Sequence, residues 1–236
     1  ETVRRIEGDA GNMSRQIYLD YAAATPVRKE AVKAMRNAER YFANPGSRHD
    51  FGMKAKGLLE ESRETVLKII NGKGMIIFTS GGTESINLAL KGIAFANKTK
   101  GNHIITSKIE HKAVLETCRY LEVQGFEVTY IDVDKYGRVN LKDLEKAITA
   151  RTILISIMYV NNEIGTIQPV KDIAAIAKKH KISFHTDACQ AGNLDLDVRE
   201  LGIDLLTLNS NKIYGPKGAG LLYIREGIRL EPMFHG

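Results

Sequence analysis

The chain has 236 residues, 43% of them hydrophobic and 26% charged, with a formal charge of +6. This is the make-up of a soluble globular protein with a large core, and it excludes disordered, fibrous and disulfide-stapled classes. No apolar run approaches the roughly 20 residues of a membrane helix. The lysines are dispersed, so a solvated basic surface is expected, with neither nucleic acid nor a membrane as partner. Cys118 and Cys189 make no metal-ligand spacing and no disulfide framework, which points to a reducing cytoplasm. The histidines form no HExxH or zinc-finger pattern, so no metal site is expected. Residues 1–16 read as an N-terminal extension with neither a secretory nor a transit-peptide character.

In chain order, Ile17-Tyr18-Leu19 predicts a short apolar strand running into a turn of small residues, Ala22-Ala23-Ala24. Residues 28–41 predict a helix with Ala31, Val32, Ala34, Met35 and Ala38 toward the core. A loop, Asn44-Pro45-Gly46-Ser47-Arg48-His49, leads to a second helix over 51–70 that stops at Asn71-Gly72. Met75 to Phe78 reads as a buried strand. It enters Thr79-Ser80-Gly81-Gly82-Thr83-Glu84-Ser85 and then a helix with Ile86, Leu90 and Ile93 on one face. A glycine turn at a helix N-terminus offers free N–H groups to an anion, and it is equally a plain turn with an ordinary cap.

Regular alternation follows. Strands are expected at 103–106, 126–131, 153–160, 182–185, 204–208 and 220–224, and helices at 113–124, 141–149 and 170–179. This pattern predicts an α/β fold, a mostly parallel sheet with helices on both faces. Polar residues fall just after several strands: His111, Asn162, Asp187 with Gln190, and Lys212 preceded by Asn209 and Asn211. Each alone is as well explained by a turn or a cap. Together they would share the carboxyl edge of the sheet, where open α/β sheets bind ligands. A lysine there can form a Schiff base, and an aspartate can hold a pyridinium nitrogen, which reads as a pyridoxal 5′-phosphate site.

With those residues in view, the chain closely resembles cysteine desulfurases of the class-V aminotransferase family, from about Ile17 onward. The likeness is carried by Tyr18 to Pro26, Asn44 to His49, Ser80 to Asn87, Glu110 to Val114, Asn161 to Gly165, His185 to Gln190 and Asn211 to Gly218. It implies a pyridoxal-phosphate-binding large domain over 17–236, ending before a C-terminal small domain. It implies that Lys212 carries the cofactor and acts as general base, and that His111 stacks on the ring. Asp187 would pair with the ring nitrogen and Gln190 with the phenolic oxygen. Gly82 and Thr83 would bind phosphate, and Asn162 would lie near cofactor and substrate. Asn209 and Asn211 stand where the family often has serine and histidine, so altered cofactor contacts are expected there. Lys217 competes formally with Lys212, which the motif favours.

The implied reaction converts L-cysteine to L-alanine, passing sulfur to an enzyme persulfide for iron–sulfur cluster or thionucleoside synthesis. A homodimer and an iron–sulfur scaffold or other sulfur-acceptor protein are the implied partners. Neither Cys118 nor Cys189 matches the family's persulfide cysteine. The alternatives are another class-V enzyme such as a selenocysteine lyase, or a cofactor-binding fragment without turnover.

Overall fold

The computed structural model describes residues 17–235. Its strands are β1 (Gly74–Thr79), β2 (His103–Ser107), β3 (Glu127–Ile131), β4 (Thr152–Ser156), β5 (Ser183–Asp187), β6 (Leu205–Asn209) and β7 (Gly220–Arg225). They form one sheet in the order β1-β7-β6-β5-β4-β2-β3. Only β7 is reversed, pairing antiparallel with both β1 and β6; every other pairing is parallel. The carboxyl ends of all strands except β7 therefore meet at one edge. The expected class, a mostly parallel sheet with helices on both faces, is what is found.

The helices are α1 (Lys29–Ala38), α2 (Asp50–Ile69), α3 (Gly82–Ala96), α4 (Lys112–Val123), α5 (Leu141–Ala147) and α6 (Val170–Lys179). Side chains alternate across a strand, so one sequence supplies two cores. Ile86, Leu90 and Ile93 of α3 and Val114 and Leu121 of α4 pack with Ile104, Leu154, Leu205 and Leu222 on one face. On the other, Leu144 of α5 and Ile173 and Ala177 of α6 pack with Ile105, Ile155, Phe184 and Leu206, flanked by Val66 and Leu67 of α2.

Several expectations are corrected. Residues 17–20 form no strand, and Leu19 is 83% exposed, because no neighbouring strand pairs with them. Helix α1 forms, but none of its residues is buried. Its apolar positions, Val32 and Met35 among them, meet no core among the described residues. β1 is an edge strand rather than a buried one, with Ile76 alone of its residues in the core. The apolar run over 153–160 outlasts its strand: β4 ends at Ser156, and the chain continues as a loop in which the Tyr159 N–H donates to the Asp187 carbonyl at 2.9 Å.

β7 closes on the glycine turn ahead of α3, backbone against backbone. A Cβ on Gly220 would stand 2.7 Å from Gly81 Cα. Gly220→Ala should therefore lower stability by about 1–3 kcal/mol in urea unfolding, the usual cost of overpacking. Gly57→Ala is the contrast: it lies inside α2 with no atom within 4 Å of the added methyl. It should raise stability by roughly 0.5–1 kcal/mol through helix propensity.

Candidate active site at the carboxyl edge of the sheet

The chain leaves β2 toward α4, which packs on one face, and leaves β4 toward α6, which packs on the other. β2 and β4 are neighbours. Their loops part in opposite directions, and this is the switch point where open α/β sheets present a crevice. His111 caps the helix after β2, Asn162 follows β4, Asp187 ends β5 and Asn209 ends β6. Lys212 closes the 3-10 turn after β6. The sequence-derived candidates are thus brought to one edge.

Lys212 and Gln190 converge on a single atom. The Ala22 carbonyl accepts from Lys212 Nζ at 2.6 Å and from Gln190 Nε2 at 2.9 Å. The small-residue turn at 22–25 is held there by the backbone. Thr25 N–H donates to the Asn211 carbonyl at 2.8 Å, and Thr25 Oγ1 donates to the same oxygen at 3.0 Å. Small side chains at Ala22, Ala23 and Ala24 let that backbone lie against the lysine. Among the described residues the Asn211 amide oxygen is buried without a partner, which leaves an acceptor on the residue before Lys212. Unpaired buried acceptors are costly and mark places where another group belongs.

The N-terminus of α3 faces the same edge. No side chain caps it, and Thr83 is exposed in its first turn. Glu84 instead reaches back, accepting from Ser80 N at 2.7 Å and Ser80 Oγ at 2.5 Å. These bonds hold its carboxyl below the ordinary range and brace the turn without covering the helix's leading N–H groups. Gly82 is required by close approach, since a Cβ there would stand 2.8 Å from Cys189 Sγ and 3.7 Å from Asn209 Nδ2. Asn209 is therefore beside the α3 turn, as its strand position suggests.

Asp187 is buried, and its Oδ1 accepts from Cys189 N at 3.0 Å. Burial, then the Asp187 carboxylate, push the Cys189 thiol well above its ordinary pKa, with Lys212 opposing. Cys118 is fully buried in α4, and its burial pushes the thiol up to about 12. Both are poor nucleophiles at neutral pH.

His111 is an N-cap. Its Nδ1 accepts from Ala113 N at 3.1 Å, so the neutral ring carries its proton on Nε2. The capping role and a ring-stacking role are compatible, because the exposed imidazole remains free on its faces. Asn162 donates to Glu163 Oε1 at 2.7 Å and is half-buried.

Sequence reading missed the residues beneath these. Glu110 is buried. Its Oε1 accepts from Ser107 Oγ at 2.6 Å, and both carboxyl oxygens lie 3.0 Å from Met158 N. Burial is the main cause that pushes it up to about 8. Asn161 is buried too, donating to the Ile109 carbonyl at 2.9 Å and accepting from Glu163 N and Ile164 N. His185 bridges strands: Nδ1 lies 2.8 Å from Ser156 Oγ and Nε2 3.0 Å from Thr207 Oγ1, and burial pushes it down to about 3. The available signal was a polar residue inside an otherwise apolar strand or directly before an exposed one.

A lysine, a buried strand-end carboxylate and an uncapped helix N-terminus thus share one edge of a mostly parallel sheet that matches the pyridoxal-phosphate-dependent transferase fold. The chain belongs to the class-V aminotransferase family, whose model matches residues 17–236. It is 55% identical to the cysteine desulfurase IscS of Dictyoglomus turgidum, covering 95% of this chain and 58% of that protein. It is 52% identical to the cysteine desulfurase IscS of Methanosarcina thermophila, covering 99% of this chain and 59% of that one. Among solved structures it is similar to SspA in complex with cysteine, at TM-score 0.87 and 45% identity, covering 93% of this chain and 65% of that one. A NifS-like protein superposes at TM-score 0.90 with 41% identity, covering 94% and 62%. The chain thus spans less than two thirds of the relatives it matches.

The displaced titrations of Glu110 and His185 act in opposite directions on stability. Glu110 rises from 4.5 to about 8, so its contribution is complete below 4.5 and is lost as pH rises toward 8. His185 falls from 6.5 to about 3, so its contribution is complete above 6.5 and is lost as pH falls toward 3. In urea unfolding across pH, Glu110→Gln should flatten the decline between 4.5 and 8 and leave the acid limb unchanged. A variant with the wild-type slope would show that Glu110 does not titrate in that window.

Proposed function

We propose that this chain forms the pyridoxal-phosphate-binding part of a cysteine desulfurase, a sulfurtransferase that converts L-cysteine to L-alanine. The observation that carries the reading is the convergence of Lys212 and Gln190 on the Ala22 carbonyl, beside the buried Asp187 and the uncapped α3 turn. The relatives named as cysteine desulfurases and the cysteine-bound neighbour support the substrate. Residues 17–236 would be the large domain, with residues 1–16, outside the described part, a separate extension. Iron–sulfur cluster or thionucleoside synthesis would use the sulfur. A cytoplasmic homodimer and a sulfur-acceptor protein complete the proposal. Among the described residues no helix is long and apolar enough to cross a membrane, and no cluster of side chains could hold a metal ion.

The residues present fit the cofactor. When bound, pyridoxal phosphate supplies an electron sink for bonds breaking at the substrate's Cα. Asp187, at the end of a buried strand, would hold the ring nitrogen's proton. Gln190 would turn its amide from Ala22 to the phenolic oxygen. The α3 N–H groups at Gly82 and Thr83, with Asn209 and the Asn211 amide, would take the phosphate; anion binding there follows from the free N–H groups and the helix dipole. His111 would cover the ring face, its orientation set by the cap at Ala113. Asn162 would face the substrate side. Lys212 Nζ would hold the cofactor, release it to the substrate amine, and as a free amine move the Cα proton. Its bond to the Ala22 carbonyl, at 2.6 Å, would be given up when the cofactor is held. Neither Cys118 nor Cys189 suits the sulfur-accepting step, since both thiols are pushed well above the neutral range. On this reading that thiol would be supplied from elsewhere in the active assembly.

The test is borohydride reduction of the chain mixed with pyridoxal phosphate, followed by peptide mass spectrometry, with absorption spectra before and after L-cysteine. The label should fall on Lys212, vanish in Lys212→Ala and leave Lys217 unmodified. L-cysteine should shift the spectrum while this chain alone releases little sulfide. Labelling of Lys217 instead, or none at all, would overturn the lysine assignment. Sulfide released with stoichiometric alanine would show that one of the two cysteines accepts sulfur after all.

A further inference from the structure

Two candidate side chains share a construction that the reading above does not use. His111 directly follows buried Glu110, and Asn162 directly follows buried Asn161. In each pair the inner residue reaches across the switch point to the other loop. Glu110, after β2, accepts from the Met158 N–H after β4. Asn161, after β4, donates to the Ile109 carbonyl after β2 at 2.9 Å. Ser107 Oγ closes the first loop on Glu110 at 2.6 Å. Asn161 Oδ1 closes the second on Glu163 N and Ile164 N at 2.9 and 3.0 Å. The loops are thus tied in both directions by buried side chains, and the outer neighbours are left at the edge. Parallel strands β2 and β4 diverge here, so ladder hydrogen bonds no longer fix the distance between the loops.

We propose that Glu110 is a positioning residue of the site, which by latching the β2–α4 loop to the β4 end sets where His111 stands relative to Asp187. This rests on the cofactor reading of the same edge. The latch needs reach and hydrogen-bonding capacity rather than charge. A side-chain amide at 110 can accept from Met158 N–H and donate to Ser107 Oγ, whereas a shortened carboxylate cannot span the loops. His111 then inherits its place twice, from the residue before it and from the cap it makes with Ala113.

The experiment is a double-mutant cycle on this chain, read as the dissociation constant for pyridoxal phosphate by spectrophotometric titration. Hydrogen exchange on the cofactor-free chain runs beside it. Glu110→Ala and His111→Ala should each weaken binding about tenfold, the effect of losing roughly 1.4 kcal/mol. The double variant should be no weaker than either, because both remove the same placement. Glu110→Asp should behave like Glu110→Ala, and Glu110→Gln should recover binding to within about threefold of the parent, as half a kcal/mol allows. In exchange, Glu110→Asp should expose the amides of 107–113 and 157–164 together and leave α3 protected. Multiplying effects of Glu110→Ala and His111→Ala would overturn the latch. So would Glu110→Gln as damaging as Glu110→Ala, which would show that an amide of the same reach cannot replace the carboxyl group. If Glu110→Ala fails to fold, the Gln and Asp variants decide alone. A parent chain that takes up no pyridoxal phosphate would sink the cofactor reading and this proposal with it, whereas a loaded parent with additive effects would sink only the proposal.

Discussion

Burying a parallel sheet on both faces presses the polar groups inside it to find partners, and this constraint shapes the molecule; among the described residues Thr186 Oγ1 of β5 is buried without one. Unpaired polar groups in a low-dielectric interior are expensive, while satisfied ones fix strands rigidly in register. Beneath the site runs a buried row: Thr106 Oγ1 donates to the Ser156 carbonyl, Ser156 Oγ meets His185, and His185 meets Thr207. It ties β2, β4, β5 and β6 side by side, with His185 two residues before Asp187 on β5 and Thr207 two residues before Asn209 on β6. The strand ends that carry the chemistry therefore stand on a polar girder whose members have almost no rotational choice.

Above that row, local structural work and candidate chemical work are divided between adjacent residues. Glu110, Asn161 and Glu84 point inward or backward and satisfy backbone donors. His111, Asn162 and Thr83 take the outward positions. The outward residues are not idle, since His111 caps α4 and Asn162 bonds Glu163. His111 and Asn162 are thus held in place before any ligand arrives, which is how a site avoids ordering costs at the moment of binding. The Ala22 carbonyl plays the same part for Lys212 and Gln190, accepting from both and so keeping two long side chains at one place.

The two cysteines illustrate how burial separates structural from reactive thiols. Cys118 fills the α4 side of the core, and Cys189 packs its sulfur against Gly82. The second contact explains why position 82 is glycine more directly than ligand binding does. It lets α3 begin close to β5, so that the helix's free N–H groups reach the edge where Asp187 and Lys212 stand.

Most of the fold was legible in the residues. Helix periodicity from Leu141, Val170 and Gly82, and apolar runs such as Leu154 to Ile157, follow from local spacing that a chain carries whatever surrounds it. The residue types of the site were legible for the same reason, because lysine, aspartate and glycine turns at strand ends are local facts. What the sequence could not show was which faces find partners. The apolar stripe of α1 and the residues Ile17 to Leu19 look like core and lie exposed. The β1 strand looks central and forms an edge. Nor could it show that Glu110 and Asn161, ordinary turn residues by type, are buried and reach across to each other's loops. The sequence by itself determined the elements and the chemistry available at their ends. Only the tertiary structure decided strand order, and with it which ends are neighbours, because pairing between segments distant in the chain is set by packing and hydrogen bonding that no local pattern encodes.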